Sequence, residues 1–283
     1  MRILVIGASG LLGKDLVKGW KDHEVIPAGS ADADIRDLSE VRRLLGEVRP
    51  EWIILAAAYT DVDGSEERPE LAFAVNRDGT RNVATIAREC GSKLFYISTD
   101  YVFDGDSDRP YEPHDPVAPR NVYGASKAAG EKEVQNFSGE WIVGRTSWLF
   151  GTARPCFPEN ILRLVESGKE AKVVSDQTGS PTYSRDLAGA IRGLVQRDAR
   201  GIVHIANSGF CSRFAFATEV VRQSGLRSEV RAISSDETGR KAKRPRNSAL
   251  STSSLGPFGI QMRSWQEALP AYLAELQQKN SIS

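Results

Sequence analysis

The sequence predicts an α/β protein in which a doubly wound, Rossmann-like parallel sheet carries a smaller α/β substrate-binding cap. Short apolar runs alternate with amphipathic stretches over the first half of the chain, as strands and helices do in a parallel sheet covered on both faces. A glycine-rich turn at residues 7–13 (GASGLLG) directly follows the first apolar run. Sheets of this type bind ligands at the carboxyl ends of their strands, where the strand order reverses.

Each predicted strand is a short apolar run, and each predicted helix carries apolar residues at helical spacing. We predict strands at 3–6, 24–26, 52–57, 94–97, 141–143 and 202–205, and helices at 11–20, 38–45, 71–90 and 123–137. Prolines interrupt this alternation after about residue 150. We therefore expect a dinucleotide-binding domain of residues 1–150 plus about 185–209, and a substrate-binding cap of about 151–184 plus 210–283.

The composition is that of a folded globular chain, because 40% of its 283 residues are hydrophobic and 26% are charged. The 37 basic and 37 acidic residues cancel, so we expect neither nucleic acid nor a membrane as a partner. Three cysteines at irregular spacing, Cys90, Cys156 and Cys211, argue against a disulfide framework and a zinc cluster and favour a reduced, cytoplasmic setting. The three histidines have no metal-ligand spacing, so no metal site is predicted.

The glycine turn has the properties of a phosphate-binding loop. Gly7 permits a sharp exit from the strand, Gly10 lets the backbone approach a pyrophosphate, and Gly13 allows close packing of the helix. The helix start then offers unpaired N–H groups to the phosphates. An ordinary glycine-containing turn is the alternative. The cofactor-binding residues predicted here are Gly7, Ser9, Gly10, Leu11, Leu12 and Gly13.

The end of the second predicted strand bears on the choice between NADPH and NADH. NAD-selective proteins usually place a carboxylate there to hold the ribose hydroxyls, but residues 25–30 contain none. This leaves room for a 2′-phosphate, although no arginine occupies the turn, and we favour NADPH over NADH. Asp34 and Ile35 are expected beside the adenine. The alternative is that Asp34 caps the next helix.

Tyr123 and Lys127 are four residues apart and share one face of a predicted helix. A nearby ammonium favours the phenolate, so we expect Lys127 to lower the pKa of Tyr123 towards the working range. Lys127 could also hold the ribose of a nicotinamide. Thr99 ends a buried strand, where its hydroxyl can orient a substrate carbonyl that Tyr123 protonates. The alternative for Thr99 is a buried hydroxyl bonded to the backbone.

Together these residues resemble the extended short-chain dehydrogenase/reductase superfamily, and the chain is most similar to its dTDP-4-dehydrorhamnose reductase family. The similarity covers almost the whole chain. It is carried by residues 56–63 (AAAYTDVD), 75–76 (VN), 98–105 (STDYVFDG), 121–127 (NVYGASK), 145–151 (RTSWLFG), 174–182 (VSDQTGSPT) and 244–250 (RPRNSAL). One departure is Cys156-Phe157, where the family usually carries Asn-Phe.

The resemblance implies reduction of the C4 keto group of a dTDP-4-keto-6-deoxy sugar by NADPH (or NADH). It implies that Tyr123 is the catalytic acid, with Lys127 as its partner and Thr99 tuning it. It also implies that the nicotinamide side of the cofactor groove is lined by Ala56, Ala57, Ala58 and Tyr59. The substrate would be contacted by Thr99, Asp100, Tyr101 and Trp148.

Other assignments remain open at this stage. Arg244 and Arg246, in a basic run, could neutralise a substrate diphosphate, while a solvated loop is equally expected there. Trp148 could instead be a core tryptophan. A homodimer is a further expectation. The alternative functions are a nucleotide-sugar epimerase of the same superfamily and a non-catalytic, cofactor-binding regulatory subunit, although the presence of Tyr123 and Lys127 argues against the second.

Overall fold

The structure of the protein, a computed structural model, describes residues 1–20 and 22–282. Its strands are β1 (Arg2–Ile6), β2 (Glu24–Ala28), β3 (Trp52–Leu55), β4 (Lys93–Thr99), β5 (Trp141–Thr146), β6 (Leu149–Phe150), β7 (Ala171–Val174), β8 (Thr178–Gly179), β9 (Thr182–Tyr183), β10 (Gly201–His204), β11 (Cys211–Ser212) and β12 (Val230–Ile233). Its α-helices are α1 (Leu11–Gly19), α2 (Leu38–Val48), α3 (Val62–Glu67), α4 (Pro69–Phe73), α5 (Thr80–Cys90), α6 (Val122–Gln135), α7 (Phe157–Glu166), α8 (Ser184–Gln196), α9 (Arg213–Ser224) and α10 (Trp265–Ile282).

The main sheet confirms the predicted fold class. Its six strands are parallel and lie in the order β10-β5-β4-β3-β1-β2. The chain first moves outward from β1 to β2 and then returns to β3 on the other side of β1, so the order reverses beside β1. Apolar residues fill these strands because helices cover both faces. The carboxyl ends of β1, β3 and β4 therefore meet at one edge, next to the reversal.

Several strands differ in length from the prediction, and the structure explains the differences at β3 and β2. β3 ends at Leu55 instead of continuing to residue 57. The backbone N–H groups of Ala56 and Ala57 both donate to the Ile6 carbonyl, at 2.9 Å each, so the chain turns across the end of β1. β2 continues through Pro27 to Ala28. A proline is tolerated there because β2 is the edge strand of the sheet.

The predicted helix at 71–90 is helical throughout but is not one regular α-helix. Between α4 and α5, residues Ala74–Gly79 form a π-helical segment. Asn76 is buried within it, and its side chain amide donates to the Ser126 hydroxyl at 2.9 Å and to the Tyr59 carbonyl at 3.0 Å. Single-turn π-helical segments are common at functional sites. Here the segment fastens the chain after β3 to helix α6.

Two apolar cores cover the faces of the main sheet, and further clusters lie outside it. On one face α1 and α8 pack on the sheet around Leu16, Ile191 and Leu194, and on the other α2 and α5 pack around Leu45 and Ile86. Outside the sheet, the paired strands β6-β9, β7-β12 and β8-β11 accompany α7, α9 and α10. The larger of these outer clusters contains the aromatic residues Phe150, Tyr183, Phe216, Trp265 and Tyr272.

The carboxyl-terminal part of the chain contributes both to a core of the main sheet and to the apolar cluster outside it. A 3-10 turn at Ser253–Phe258 places Leu255 in the first core, beside Phe258, Ile260 and Met262. The predicted boundaries put this segment in the cap. None of the helices in the described ranges combines the length and the apolar character that a membrane span requires.

Candidate active site

The glycine turn forms a tight cradle at the end of β1. Gly7 has a φ of 93°, in the left-handed region that favours glycine. A Cβ atom on Gly13 would lie 2.1 Å from the Gly7 carbonyl oxygen, so only glycine lets α1 pack this closely on the turn. Gly10 precedes α1 without a side-chain cap, and the first turn of α1 carries no acidic residue. The unpaired N–H groups at this helix start suit an anionic phosphate.

A cavity of about 940 Å³ extends from this cradle along the carboxyl edge of the sheet. It brings together most of the predicted site residues, although they come from separate parts of the chain. The predicted residues that line it are Gly7, Ser9, Gly10, Leu11, Leu12, Gly13, Asp34, Ile35, Ala56, Ala57, Ala58, Thr99, Asp100, Tyr101, Tyr123, Lys127 and Trp148. A glycine cradle at one end and Tyr123 at the other fit an extended dinucleotide with its nicotinamide beside the phenol.

The region after β2 contains an arginine that the sequence analysis missed. Arg36 lines the cavity, and its Nε donates to the Asp34 carboxylate at 2.9 and 3.0 Å. These bonds lower the pKa of Asp34. The alternative that Asp34 caps α2 is wrong, because Asp37 is the capping residue and accepts from the N–H groups of Ser39 and Glu40. A carboxylate and a guanidinium thus stand together where the adenosine ribose is expected.

Helix α6 begins with a cap that fixes the position of Tyr123. The Asn121 side chain accepts from the Gly124 N–H at 2.8 Å. A Cβ on Gly124 would lie 2.1 Å from the Tyr101 carbonyl oxygen, so α6 packs closely on the segment after β4. Tyr123 therefore stands at the cavity in the first turn of α6, with the Tyr101 ring edge-on at 5.9 Å.

Lys127 lies one turn further along α6 and is buried at 2% exposure. Its Nζ donates to the Ile97 carbonyl at 2.7 Å and lies 4.0 Å from the centroid of the Tyr96 ring. Burial lowers the pKa of Lys127 to about 7, and the charge of Glu131 opposes this shift. Both strand residues belong to β4, so the sheet and helix α6 fix the ammonium between them.

The predicted lowering of the Tyr123 pKa has the wrong direction. Burial raises the pKa of Tyr123, and contact with the Thr99 hydroxyl opposes the rise only in part. The Lys127 ammonium does not offset the burial, because it is directed at the Ile97 carbonyl and the Tyr96 ring. The phenol is therefore held in its protonated form, which suits the donation of a proton.

Thr99 and Asp100 form the wall opposite Tyr123. The Thr99 hydroxyl donates to Asp100 at 3.0 Å and accepts from the Tyr101 N–H at 3.2 Å, so it has a backbone partner as well as a face on the cavity. The Ser147 hydroxyl donates to the other Asp100 oxygen at 2.8 Å. Burial raises the pKa of Asp100, against these hydrogen bonds. The carboxylate is thus satisfied from within the protein and orients the Thr99 hydroxyl.

Trp148 lines the cavity from the segment between β5 and β6. It has a φ of 45°, an uncommon conformation for a residue other than glycine. The Gly179 backbone packs against its indole, and a Cβ there would lie 2.3 Å from the ring. The guanidinium carbon of Arg213 lies 3.6 Å from the ring centroid. Trp148 is thus clamped, but it faces the cavity and is not enclosed in a core.

Three predicted site residues do not line the cavity. Arg244 donates to the Asp63 carboxylate at 2.6 and 2.8 Å, and this pairing lowers the pKa of Asp63 to about 2. Arg246 is paired with the exposed Asp108 at 2.8 Å. Tyr59 is fixed through its backbone by the Asn76 amide. The cations that do line the cavity besides Lys127 are Arg36, Arg154 and Arg213.

Arg154 reaches the glycine turn from the segment before α7. Its Nε donates to the Ser9 carbonyl at 3.2 Å. Sequence reasoning noted the proline-rich segment around it but gave it no role. No local signal identifies Arg154 or Arg213, since their contacts are with residues distant in sequence, whereas Arg36 is paired with Asp34 only two positions away. Within the described ranges, no group of three or more His, Cys, Asp or Glu side chains is arranged to hold a metal ion.

A parallel sheet with a glycine cradle beside β1 and a Tyr-Lys pair on the helix facing β4 defines a short-chain dehydrogenase/reductase of the extended type. Comparison with known proteins narrows this class. Residues 1–278 match the family described as RmlD substrate binding domain, and the chain belongs to this family.

Individual relatives cover nearly the entire chain. Spore coat polysaccharide biosynthesis protein SpsK of Bacillus subtilis is 38% identical over 276 residues, which cover 97% of each chain. The dTDP-4-dehydrorhamnose reductase of Mycobacterium tuberculosis is 39% identical over 99% of this chain and 95% of its own. Among solved structures, dTDP-4-dehydrorhamnose reductase from Bacillus anthracis in complex with NADP superposes with a TM-score of 0.94 at 39% identity, covering 97% of this chain and 99% of that one.

Proposed function

We propose that the protein reduces the C4 keto group of dTDP-4-dehydrorhamnose to give dTDP-L-rhamnose, with NADPH as the preferred reductant. The observation that carries this proposal is the convergence of Tyr123, Lys127 and Thr99 on the cavity that starts at the glycine cradle. The relatives named dTDP-4-dehydrorhamnose reductase and the NADP bound to one of them support the substrate and the cofactor.

A reduced nicotinamide bound in this cavity would supply the hydride that adds to the carbonyl carbon. Tyr123 donates its phenolic proton to the carbonyl oxygen as negative charge develops there. Thr99 gives its only hydroxyl proton to Asp100, so its oriented oxygen is available to accept from the Tyr123 phenol and to position it. Lys127 would donate to the ribose of the cofactor and, in its protonated form, would favour the phenolate that remains after proton transfer. Ala56, Ala57 and Ala58 leave space for the nicotinamide side of the cofactor.

The rest of the proposed arrangement follows the two lobes. Residues 1–150 with about 185–209 would bind the dinucleotide, and about 151–184 with 210–283, apart from the segment around Leu255 that packs on the first core, would form the cap over the sugar nucleotide. All three cysteines are free thiols, which suits the cytoplasm proposed as the location. We include a homodimer in the proposal, and sedimentation of the purified protein would test it.

The direct test uses purified full-length protein with NADPH deuterated at the transferred position and dTDP-4-dehydrorhamnose. We expect NADPH oxidation in proportion to substrate, with deuterium at C4 of the product by mass spectrometry and NMR. Turnover of matched GDP- and UDP-linked keto sugars tests the specificity for the nucleotide base. Turnover with NADH in place of NADPH tests the cofactor preference. Isomerisation without net NADPH consumption would instead identify an epimerase, and cofactor binding without turnover of any of these sugars would favour the regulatory role.

A further inference from the structure

Arg213 is the first residue of α9, and two aromatic rings hold its side chain. The guanidinium carbon lies 3.6 Å from the Trp148 ring centroid and 4.9 Å from that of Phe157. The Ser212 hydroxyl caps α9 by accepting from the Ala215 N–H at 3.0 Å, which fixes the backbone at this point. Stacking leaves the edge of a guanidinium, with its N–H donors, available for hydrogen bonding.

These N–H donors face the cavity, and no protein group there accepts a hydrogen bond from them. Within residues 1–20 and 22–282, the Arg213 guanidinium makes no hydrogen bond or ion pair. The other cavity arginines differ, because Arg36 is bonded to Asp34 and Arg154 to the Ser9 carbonyl. Burial lowers the pKa of Arg213, and the nearby Tyr101 and Asp100 compensate only in part. A half-buried cation without a hydrogen-bonding partner is costly, so its retention in the cavity wall indicates an anionic ligand.

The position of Arg213 indicates which part of a ligand it meets. Tyr101 is near both groups, since its ring is 5.9 Å from that of Tyr123 and the charge of Arg213 acts on its phenol. In a pyranose, the C4 carbonyl and the C1 oxygen that bears the phosphate lie at opposite sides of the ring. A sugar with its C4 at Tyr123 therefore directs its phosphate away from Tyr123, towards Trp148 and Arg213.

We propose that Arg213, stacked on Trp148, binds the diphosphate of the nucleotide sugar and so sets the position of C4 at Tyr123. This inference rests on the proposed function and deepens it. It transfers the phosphate-binding role expected of Arg244 and Arg246 to Arg213, which lines the cavity as those two arginines do not. A planar guanidinium that is immobilised before the ligand arrives loses little conformational entropy on binding.

The test is equilibrium binding to the NADP-loaded full-length protein by calorimetry. Each of dTDP, UDP and GDP is compared with its own nucleoside, and the nucleotide that binds most tightly is used for the variants. Arg213→Met should weaken that diphosphate about tenfold to hundredfold, as loss of a hydrogen bond to a charged group does, and leave the nucleoside unchanged. Arg213→Lys should recover part of the loss. Arg246→Met, which removes an exposed arginine outside the cavity, is the matched control and should change neither.

Two kinds of result would overturn the inference. One is a diphosphate affinity that Arg213→Met leaves intact, or wild-type protein that binds no diphosphate more tightly than its nucleoside. The other is a parallel loss of diphosphate and nucleoside with an unchanged unfolding midpoint, because Arg213 would then only support the Trp148 ring. Binding does not depend on turnover, so a selective loss of diphosphate in a protein that reduces no keto sugar would sustain this inference while refuting the proposed function.

Discussion

The Glu131 carboxylate accepts two hydrogen bonds from the Arg145 guanidinium, at 2.9 and 2.7 Å, and both side chains are only 2% exposed. Glu131 lies one turn beyond Lys127 on α6, and Arg145 lies on β5. The Ser98 hydroxyl on β4 donates to the same carboxylate. The pair therefore joins α6, which bears Tyr123 and Lys127, to β4 and β5.

Breaking this pair should destabilise the protein strongly. Glu131→Ala leaves the Arg145 charge buried without its partner, and removal of one partner of a buried pair typically costs about 3–5 kcal/mol. We expect urea unfolding at neutral pH to show a loss of this size. The matched control is Glu47→Ala, which breaks the exposed Arg43–Glu47 pair and should cost no more than about 0.5 kcal/mol. Equal losses for the two variants would contradict a structural role for the buried pair.

Tyr123→Phe should abolish most turnover and leave cofactor binding intact. The substitution removes only the hydroxyl that faces Thr99 in the cavity, and loss of a positioned proton donor typically costs about 10²–10⁴-fold in rate. Steady-state NADPH oxidation gives the rate, and fluorescence titration gives NADPH affinity. The control is Tyr101→Phe, which removes the neighbouring phenol. A Tyr101→Phe loss as large as that of Tyr123→Phe, or full activity in Tyr123→Phe, would assign the proton to another group.

The sequence was most informative where function depends on local geometry. Short apolar runs predict buried parallel strands because both faces of the sheet are covered, and Tyr123 and Lys127 share a helix face because they are four residues apart. Charges that act through long-range contacts were not predictable in this way. Arg244 forms an ion pair with Asp63, and Arg213 stacks on Trp148. Neither partner is close in sequence to its arginine. The sign of the Tyr123 pKa shift likewise depends on burial, which the spacing does not reveal.

The buried Lys127 should make stability depend on pH in a defined direction. Its pKa falls from 10.5 to about 7 on folding, so between these values the unfolded chain binds the proton and the folded protein does not. Its contribution to stability is therefore complete above about pH 10.5 and is lost as the pH falls towards 7. The difference in unfolding free energy between wild type and Lys127→Met should rise with pH from 7, by at most about 1.4 kcal/mol per pH unit.

Urea unfolding of both proteins between pH 6.5 and about 9.5 measures this difference, because other titrating groups cancel when the two proteins are compared. The matched control is Lys132→Met, on the exposed side of the same helix. Its difference from wild type should not change over the range. A flat difference for Lys127→Met as well would mean that the ammonium persists in the folded protein across this range.

Gly13→Ala should weaken the phosphate cradle although alanine favours helices. The added Cβ would lie 2.1 Å from the Gly7 carbonyl oxygen and 2.7 Å from the Ala8 Cα, both backbone atoms. The turn or α1 must therefore shift, at about 1–3 kcal/mol for overpacking. We expect a lower unfolding free energy and a large rise in the NADPH dissociation constant. Gly46→Ala is the control, since this exposed glycine of α2 lies outside the cavity and has no atom within 4 Å of its Cβ position. Similar NADPH affinities in the two variants would place the phosphates elsewhere.

Cofactor preference should depend on the Asp34–Arg36 pair. Arg36 can donate to a 2′-phosphate, whereas Asp34 repels it and accepts from the ribose hydroxyls of NADH. Arg36→Met should therefore reduce the NADPH-over-NADH ratio of kcat/KM about tenfold to hundredfold, as expected for a hydrogen bond to a charged group. Asp34→Asn should raise that ratio by removing the repulsion.

Arg42→Met is the matched control. It removes an arginine of α2 that does not line the cavity and is paired with Glu89, so it should leave the ratio unchanged. If Arg36→Met and Arg42→Met gave the same ratio, the 2′-phosphate would have to be held by other residues, of which Arg154 is the nearest candidate at the glycine turn.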